Sequence, residues 1–164
     1  MNTRALKILV DTNIWIDYYT ARDIAHGHSS QLIKSLLGSK HEVYACTLST
    51  NDLFYLLQVY LKLAHRRQLG DSLSPEQALA IKEVAWKSTE HMIKVAKLIA
   101  VDTFECQRAL ALRETSNDYE DNLIIACALT CGVDYLVTND ESLQASKAVK
   151  VIYPDELYAR LFER

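Results

Sequence analysis

Only two prolines and four glycines occur in the 164 residues, too few for a linker or a Pro/Gly-rich disordered segment. A compact, mostly regular fold follows. Low-complexity tracts and internal repeats are absent too, and the length suits one domain over 1–164 with one core. Long hydrophobic runs are missing. The first apolar run, residues 5–10, is too short to cross a bilayer, and no cleavage-type signal accompanies it. The expectation is a soluble, cytoplasmic protein with no membrane partner. The four cysteines, Cys46, Cys106, Cys127 and Cys131, lack metal-type spacing. They read as small buried hydrophobes in a reducing compartment and argue against zinc. An excess of basic charge is also missing: the net charge is −3, which speaks against a nucleic-acid partner. That figure loses its force if acids gather at one place, because setting five carboxylates aside leaves +2.

What is present is an alternation of short apolar runs and helical periodicity. Residues 5–10 (ALKILV) read as a buried strand, followed at once by a short helix from Asn13. A second helix spans Ser29–Leu37, EVYAC (42–46) is a strand, and LSTNDLFYLLQVYLKLAHRR is a long helix. Ser74, Pro75 and Gln77 form a strong helix start, with Ser74 as N-cap and Gln77 completing a capping box. That helix reaches about Lys87, with STEHMIKVAK continuing or restarting it. LIAV (98–101), YLVT (135–138) and VKVIY (149–153) are strands. Thr103–Leu112 and Asp118–Cys131 are helices, and a last helix starts at Pro154. Strands of four to six apolar residues alternating with helices imply a three-layer α/β/α fold around a parallel sheet of about five strands.

Ligands in such sheets gather beyond the carboxyl ends of the strands. Asp11 follows the first strand and Asp140 follows the fourth by two residues. Two helices aim further acids at the same edge. Asp121 heads a stripe of Ile124, Ile125, Ala128 and Leu129, with Asp118 one turn earlier and Glu120 pointing away. Asp52 heads a similar stripe of Tyr55, Leu56, Val59, Tyr60 and Leu63. Ser49-x-x-Asp52 and Asp118-x-x-Asp121 also resemble capping boxes, and acids suit helix N-termini. Caps sit at the rim in water, however, whereas these acids continue buried stripes, and clustered buried charge is costly without a partner. A shared cation is therefore expected. Asp102 reads as a cap with Glu105, Asp134 belongs to the opposite edge, and Asp17 and Asp23 read as solvated. Carboxylates without a His or Cys cluster select hard ions, Mg²⁺ or Mn²⁺. Two such ions can clamp an in-line displacement at phosphorus.

ILVDTNIWID, STNDLFYLL, DYEDNLIIACAL and DYLVTND, in this order and spacing, resemble the PIN-domain ribonucleases, which include the toxins of VapBC-type toxin–antitoxin pairs. The resemblance spans nearly the whole chain. It implies a sheet of order 3-2-1-4-5, which sets the first and fourth strands side by side and so brings Asp11 and Asp140 together. It implies metal-dependent hydrolysis of RNA by Asp11, Asp52, Asp121 and Asp140, with Asp118 as an auxiliary metal ligand. Thr12, Asn13 and Thr138 would orient those carboxylates. The family commonly has Glu at the second motif, where this chain has Asp52, shorter by one methylene. The resemblance also implies an antitoxin partner and a homodimer.

Arg66 and Arg67, with His65, form the one dense basic cluster and could track an RNA backbone; neutralising a helix C-terminus is their other use. Trp15, Tyr18 and Tyr19 suit core or dimer packing better than base stacking. A PIN fold kept for RNA binding or scaffolding, with little cleavage, is the alternative. A phosphorylation-dependent receiver module shares the alternation, an acid after the third strand (Asp102) and Thr138 after the fourth. It also needs paired acids after the first strand and a Lys ending the fifth. Here Thr12 and Asn13 follow Asp11, and VIYP ends without Lys.

Overall fold

A computed structural model describes residues 4–20, 27–70, 72–114 and 116–163. In chain order the elements are β1 (Lys7–Val10), α1 (Thr12–Thr20), α2 (Gly27–Leu37), β2 (Glu42–Cys46), α3 (Thr47–Leu69), α4 (Pro75–Val95) and β3 (Lys97–Ile99). They continue with α5 (Thr103–Ala111), α6 (Tyr119–Cys131), β4 (Tyr135–Val137), α7 (Glu141–Gln144), β5 (Val151–Ile152) and α8 (Pro154–Phe162). Five parallel strands form one sheet in the order β3-β2-β1-β4-β5. The central strand β1 sets Leu9 opposite Tyr44 of β2 and opposite Leu136 of β4.

Apolar residues on both sides of the strands bury the sheet between two helical layers, because successive side chains point to opposite faces. Ile8, Val10, Val43, Ala45, Val137 and Ile152 pack into one core with α1, α2, α3, α4 and α8. Leu9, Tyr44, Cys46, Ile99 and Leu136 pack on the other face against α6 and α7. Helix α5 lies along α6. Helix α6 is therefore enclosed rather than half-exposed: Asp121 through Ala128 are all buried.

Local chemistry sets the boundaries. Ser74 makes the full capping box with Gln77, and α4 runs unbroken from Pro75 to Val95. Asp102 and Glu105 form a second capping box at α5. Helix α3 starts directly off β2 at Thr47, with no side-chain cap. Ser49 is thus not a cap; its hydroxyl is buried and accepts a 2.9 Å bond from Thr12 Oγ1, tying the start of α1 to α3. Trp15 is fully buried, and Tyr19 stacks on it while sharing a 2.7 Å bond with His91 of α4. These aromatics pack the fold. Asp134, at the amino edge, accepts a 2.9 Å bond from the Lys7 N–H and pairs with Arg4. The four cysteines are free, with Cys46 and Cys127 buried. Among the described residues no helix is long and apolar enough to cross a membrane.

Candidate functional site

Strand β1 ends where its neighbour β4 ends, and the Asp11 N–H bonds the Val137 carbonyl at 3.0 Å. The Asp11 carboxylate turns inward at this junction and is only 7% exposed. Its Oδ1 accepts from the Thr12 N–H at 2.6 Å, and its Oδ2 accepts from Thr138 Oγ1 at 2.6 Å and Asn13 Nδ2 at 2.7 Å. Thr138 Oγ1 donates that one proton and accepts twice, from Asn13 Nδ2 and from the Asp140 N–H, both at 2.9 Å. Its hydrogen-bonding capacity is therefore full. Thr12, Asn13 and Thr138 thus hold Asp11 in one orientation.

Asp11, Asp118, Glu120, Asp121 and Asp140 line one cleft of about 200 Å³, with Leu56 and Ile124 as apolar walls. Asp121 is 8% exposed, and its Oδ2 accepts from Ser142 Oγ at 2.6 Å. Asp118 caps α6, accepting from the N–H groups of Glu120 and Asp121, and Asp140 caps α7 through the Ser142 N–H. Capping and cleft lining are compatible, because the cap uses one carboxylate oxygen, Oδ1, in each case. Larger concavities exist elsewhere, one of about 470 Å³ between the amino edge and α8 and one of about 300 Å³ beside α5, but among the described residues neither gathers like charges in this way.

Electrostatics reflect the crowding. Burial pushes the Asp11 carboxyl up to about 6, against the lowering effect of its bonds to Thr138 and Thr12; Glu120 and Asp140 push it further. Burial also raises Asp121, as do Asp118 and Asp140, while its Ser142 bond lowers it. Among the described residues no Lys, Arg or His lines the cleft. The donors are all hard oxygens, which fit a hard divalent cation and not zinc. Among the described residues no three His, Cys, Asp or Glu side chains converge tightly enough to hold an ion together. That spacing suits an ion such as Mg²⁺, which keeps most of its waters and takes one or two carboxylates directly.

Several residues stand elsewhere than the helical wheels placed them. Glu120, expected to point away, lines the cleft, and its carboxyl is raised by burial and then by Asp52, Asp118, Asp121 and Asp140. The wheel was counted from Asp121, and the cleft takes in more of the first turn of α6 than the stripe headed by that residue, since Glu120 and Asp121 both line it. Asp52 does not line the cleft, whereas Leu56, one turn later, does. The stripe it heads is not buried: Tyr55 is 60% and Val59 52% exposed, while Ser49, Leu53 and Leu57 form the inward face. LFYLLQVYLKL is apolar around most of its circumference, so two stripes competed and periodicity could not choose between them. Asp52 nevertheless acts on the cleft: of the acids that raise the Glu120 carboxyl it has the largest effect. Arg66 and Arg67 lie in the last turn of α3, roughly 20 Å along the helix from Asp52, where they face the carbonyl end. Expected at the surface, Asp17 is instead 3% exposed and accepts from Asn139 Nδ2 at 2.9 Å and Ser29 Oγ at 3.1 Å. The start of α2 and the turn after β4 fold over it. Asp23 lies outside the described residues. Ser142 and Asn139 carried no local signal, and the signal at Ser49 pointed to a cap, since the partners of all three lie far away in sequence.

Comparison with known proteins bears on this arrangement. The chain is 26% identical over 157 residues to Ribonuclease VapC1 of Aquifex aeolicus (strain VF5), covering 94% of each chain. Its fold is similar to a chain in the crystal structure of VapBC2 from Rickettsia felis bound to a DNA fragment from their promoter. There the TM-score is 0.62 at 13% identity, over 90% of this chain and 98% of that one. A toxin–antitoxin complex from Klebsiella pneumoniae gives 0.60 at 17% identity, over 90% and 97%. At those identities the likeness is one of fold. The PIN domain family model matches residues 7–142, a span that opens with β1 and includes every acid of the cleft, and the chain belongs to the PIN domain family.

Proposed function

We propose that this protein is an endoribonuclease that hydrolyses RNA phosphodiester bonds with Mg²⁺ or Mn²⁺ at the acidic cleft, and that it is the toxin of a toxin–antitoxin pair. The observation that carries this reading is the gathering of five carboxylates along one cleft with no cationic side chain lining it among the described residues. The likeness to Ribonuclease VapC1 supports RNA as substrate, and the toxin–antitoxin complexes among the structural neighbours support a proteinaceous inhibitor.

Asp11 and Asp121, the two most buried acids of the cleft, would anchor the ion, and Asp118 and Asp140 would complete its surroundings from the rim. Thr12, Asn13 and Thr138 keep both Asp11 oxygens aimed without protonating them, and Ser142 does the same for Asp121. Bound Mg²⁺ or Mn²⁺ supplies Lewis acidity at the phosphoryl oxygens and acidifies the attacking water. Glu120, whose carboxyl is raised by burial and by the neighbouring acids, would take the proton from the attacking water. The bond from water oxygen to phosphorus would form as the bond from phosphorus to the 3′ oxygen breaks, and the departing 3′ oxygen would take a proton from solvent, leaving a 3′ hydroxyl and a 5′ phosphate.

The exposed apolar stripe of α3, Tyr55, Leu56, Val59 and Leu63, supports a homodimer in which a second copy covers it. RNA cleavage in Mn²⁺ by wild type beside Asp11→Asn and Asp121→Asn tests the chemistry. Loss of cleavage in both variants and in EDTA is expected; full cleavage by either variant removes the mechanism. RNA binding without cleavage by wild type would instead make this a PIN-fold RNA-binding or scaffold protein.

A further inference from the structure

Asn139 sits between Thr138, which holds Asp11, and Asp140, which lines the cleft. The sheet stops short of it. The Thr138 N–H still bonds a neighbouring backbone, the Ile152 carbonyl at 3.3 Å. Beyond that point the N–H groups of Asn139 and Asp140 go to side chains, Asn13 Oδ1 at 3.3 Å and Thr138 Oγ1 at 2.9 Å. Side chains, and not the strand ladder, therefore set the conformation of this turn.

Asn13 and Asp17 stand four residues apart on α1 and share a face of that helix. Both grip residue 139. Asn13 accepts from its backbone N–H, and Asp17 Oδ2 accepts from its side-chain Nδ2 at 2.9 Å. Ser29, near the start of α2, completes the arrangement: its Oγ donates to Asp17 Oδ2 at 3.1 Å and accepts from Asn139 Nδ2 at 3.3 Å. Asp17 is 3% exposed and Ser29 is fully buried. Asp17 does not line the cleft, so the hydrolytic chemistry above gives no reason for an acid at this depth. A buried acid costs free energy unless donors meet it. One donor that meets this acid belongs to the turn that carries Asp140.

The connection continues to Asp11. With its Oδ1 taken by the Asn139 N–H, the Asn13 amide turns its Nδ2 toward Asp11 Oδ2 and Thr138 Oγ1, at 2.7 and 2.9 Å. The place of residue 139 thus decides which end of the Asn13 amide meets the acid. We propose that Asp17 is a positioning residue: through Asn139 it pins the turn after β4, holding Asp140 at the rim of the cleft and the Asn13 amide against Asp11. Without an acceptor at position 17, α1 holds that turn at one point instead of two. The use of this orientation, to grip a divalent ion, rests on the nuclease reading; the clamp itself does not.

Amide hydrogen exchange followed by NMR in the metal-free protein tests the clamp. In Asp17→Ala the N–H groups of Asn139 and Asp140 should exchange about tenfold faster, the effect of losing one hydrogen bond. The Leu136 N–H, which bonds the Lys150 carbonyl at 2.9 Å, is the reference and should change little. Because Asp17→Ala can unfold the protein, Asn139→Ala cuts the same bond from its less buried side and should accelerate Asp140 equally. The double variant should accelerate Asp140 no further, since the two residues act in series. In either single variant Mn²⁺ affinity, measured by calorimetry, should fall roughly tenfold. Unchanged exchange at residues 139 and 140, acceleration of Leu136 as large as theirs, or additive effects in the double variant overturns the clamp. Mn²⁺ binding by both variants as tight as by wild type overturns its role at the site. RNA cleavage by wild type alongside any of those results leaves the nuclease reading standing. A wild type that binds no Mn²⁺ and cuts no RNA removes that reading, and exchange alone then decides the clamp.

Discussion

Asp11 concentrates the cost of the site in one residue. Its carboxyl stands at about 6 in the fold against 3.8 without it, chiefly through burial. A raised acid contributes stability that is fully present below the unfolded value and is lost as pH rises through the folded one. The window therefore runs from about 4 to about 6, and the contribution lost is on the order of 3 kcal/mol. Asp121 and Glu120 shift in the same direction. In EDTA, urea midpoints should fall as pH rises from 4 to 7.5. Added Mn²⁺ should restore stability at pH 7.5 but not at pH 4, where protonated carboxyls do not bind it. A midpoint that rises over this interval would contradict the assigned burial. Asn13 carries a second prediction, since its amide holds Asp11 Oδ2 and Thr138 Oγ1 and accepts from the Asn139 N–H. Asn13→Ala should lower Mn²⁺ affinity, measured by calorimetry, by roughly 10- to 100-fold.

Helices place the remaining acids, and their registers decide which ones matter. Glu120 lies at the head of α6 within the cleft, whereas Asp52 lies on α3 outside it. Glu120→Gln should therefore reduce RNA cleavage far more than Asp52→Asn, the reverse of what the second motif of the family suggests. Comparable losses from the two would restore Asp52 to the centre of the site. At the other end of α6, Gly132 closes the helix at φ 60°, ψ 50°, and its N–H bonds the Ala128 and Leu129 carbonyls. A side chain there is strained at any size. Gly132→Ala should cost about 1 kcal/mol, seen as a melting temperature lower by roughly 2–4 °C. Cleavage per folded molecule should not change, because the acids sit at the opposite end of the helix.

Across the whole molecule, the parallel order β3-β2-β1-β4-β5 reverses direction at β1 and β4 and opens a crevice beyond their carboxyl ends. The exposed stripe on α3 is the matching feature of the outer surface. Val59→Glu should convert a dimer to a monomer in sedimentation while Asp11→Asn does not; a monomer in wild type at micromolar concentration removes the homodimer. Much of this architecture was legible in the chain itself. Short apolar runs ending in Asp11 and shortly before Asp140 specify strands buried on both faces with acids at one edge, because an alternation of period and polarity is a local property. Ser74-Pro75-x-Gln77 and Asp102-x-x-Glu105 specify their own helix starts for the same reason. The inward face of α3 was not legible, since a segment apolar on most sides is oriented by what packs against it. Nor was Glu120's place in the cleft, or the burial of Asp17 under Asn139. Each is set by contacts between residues far apart in the chain, and no local pattern encodes which distant group will arrive.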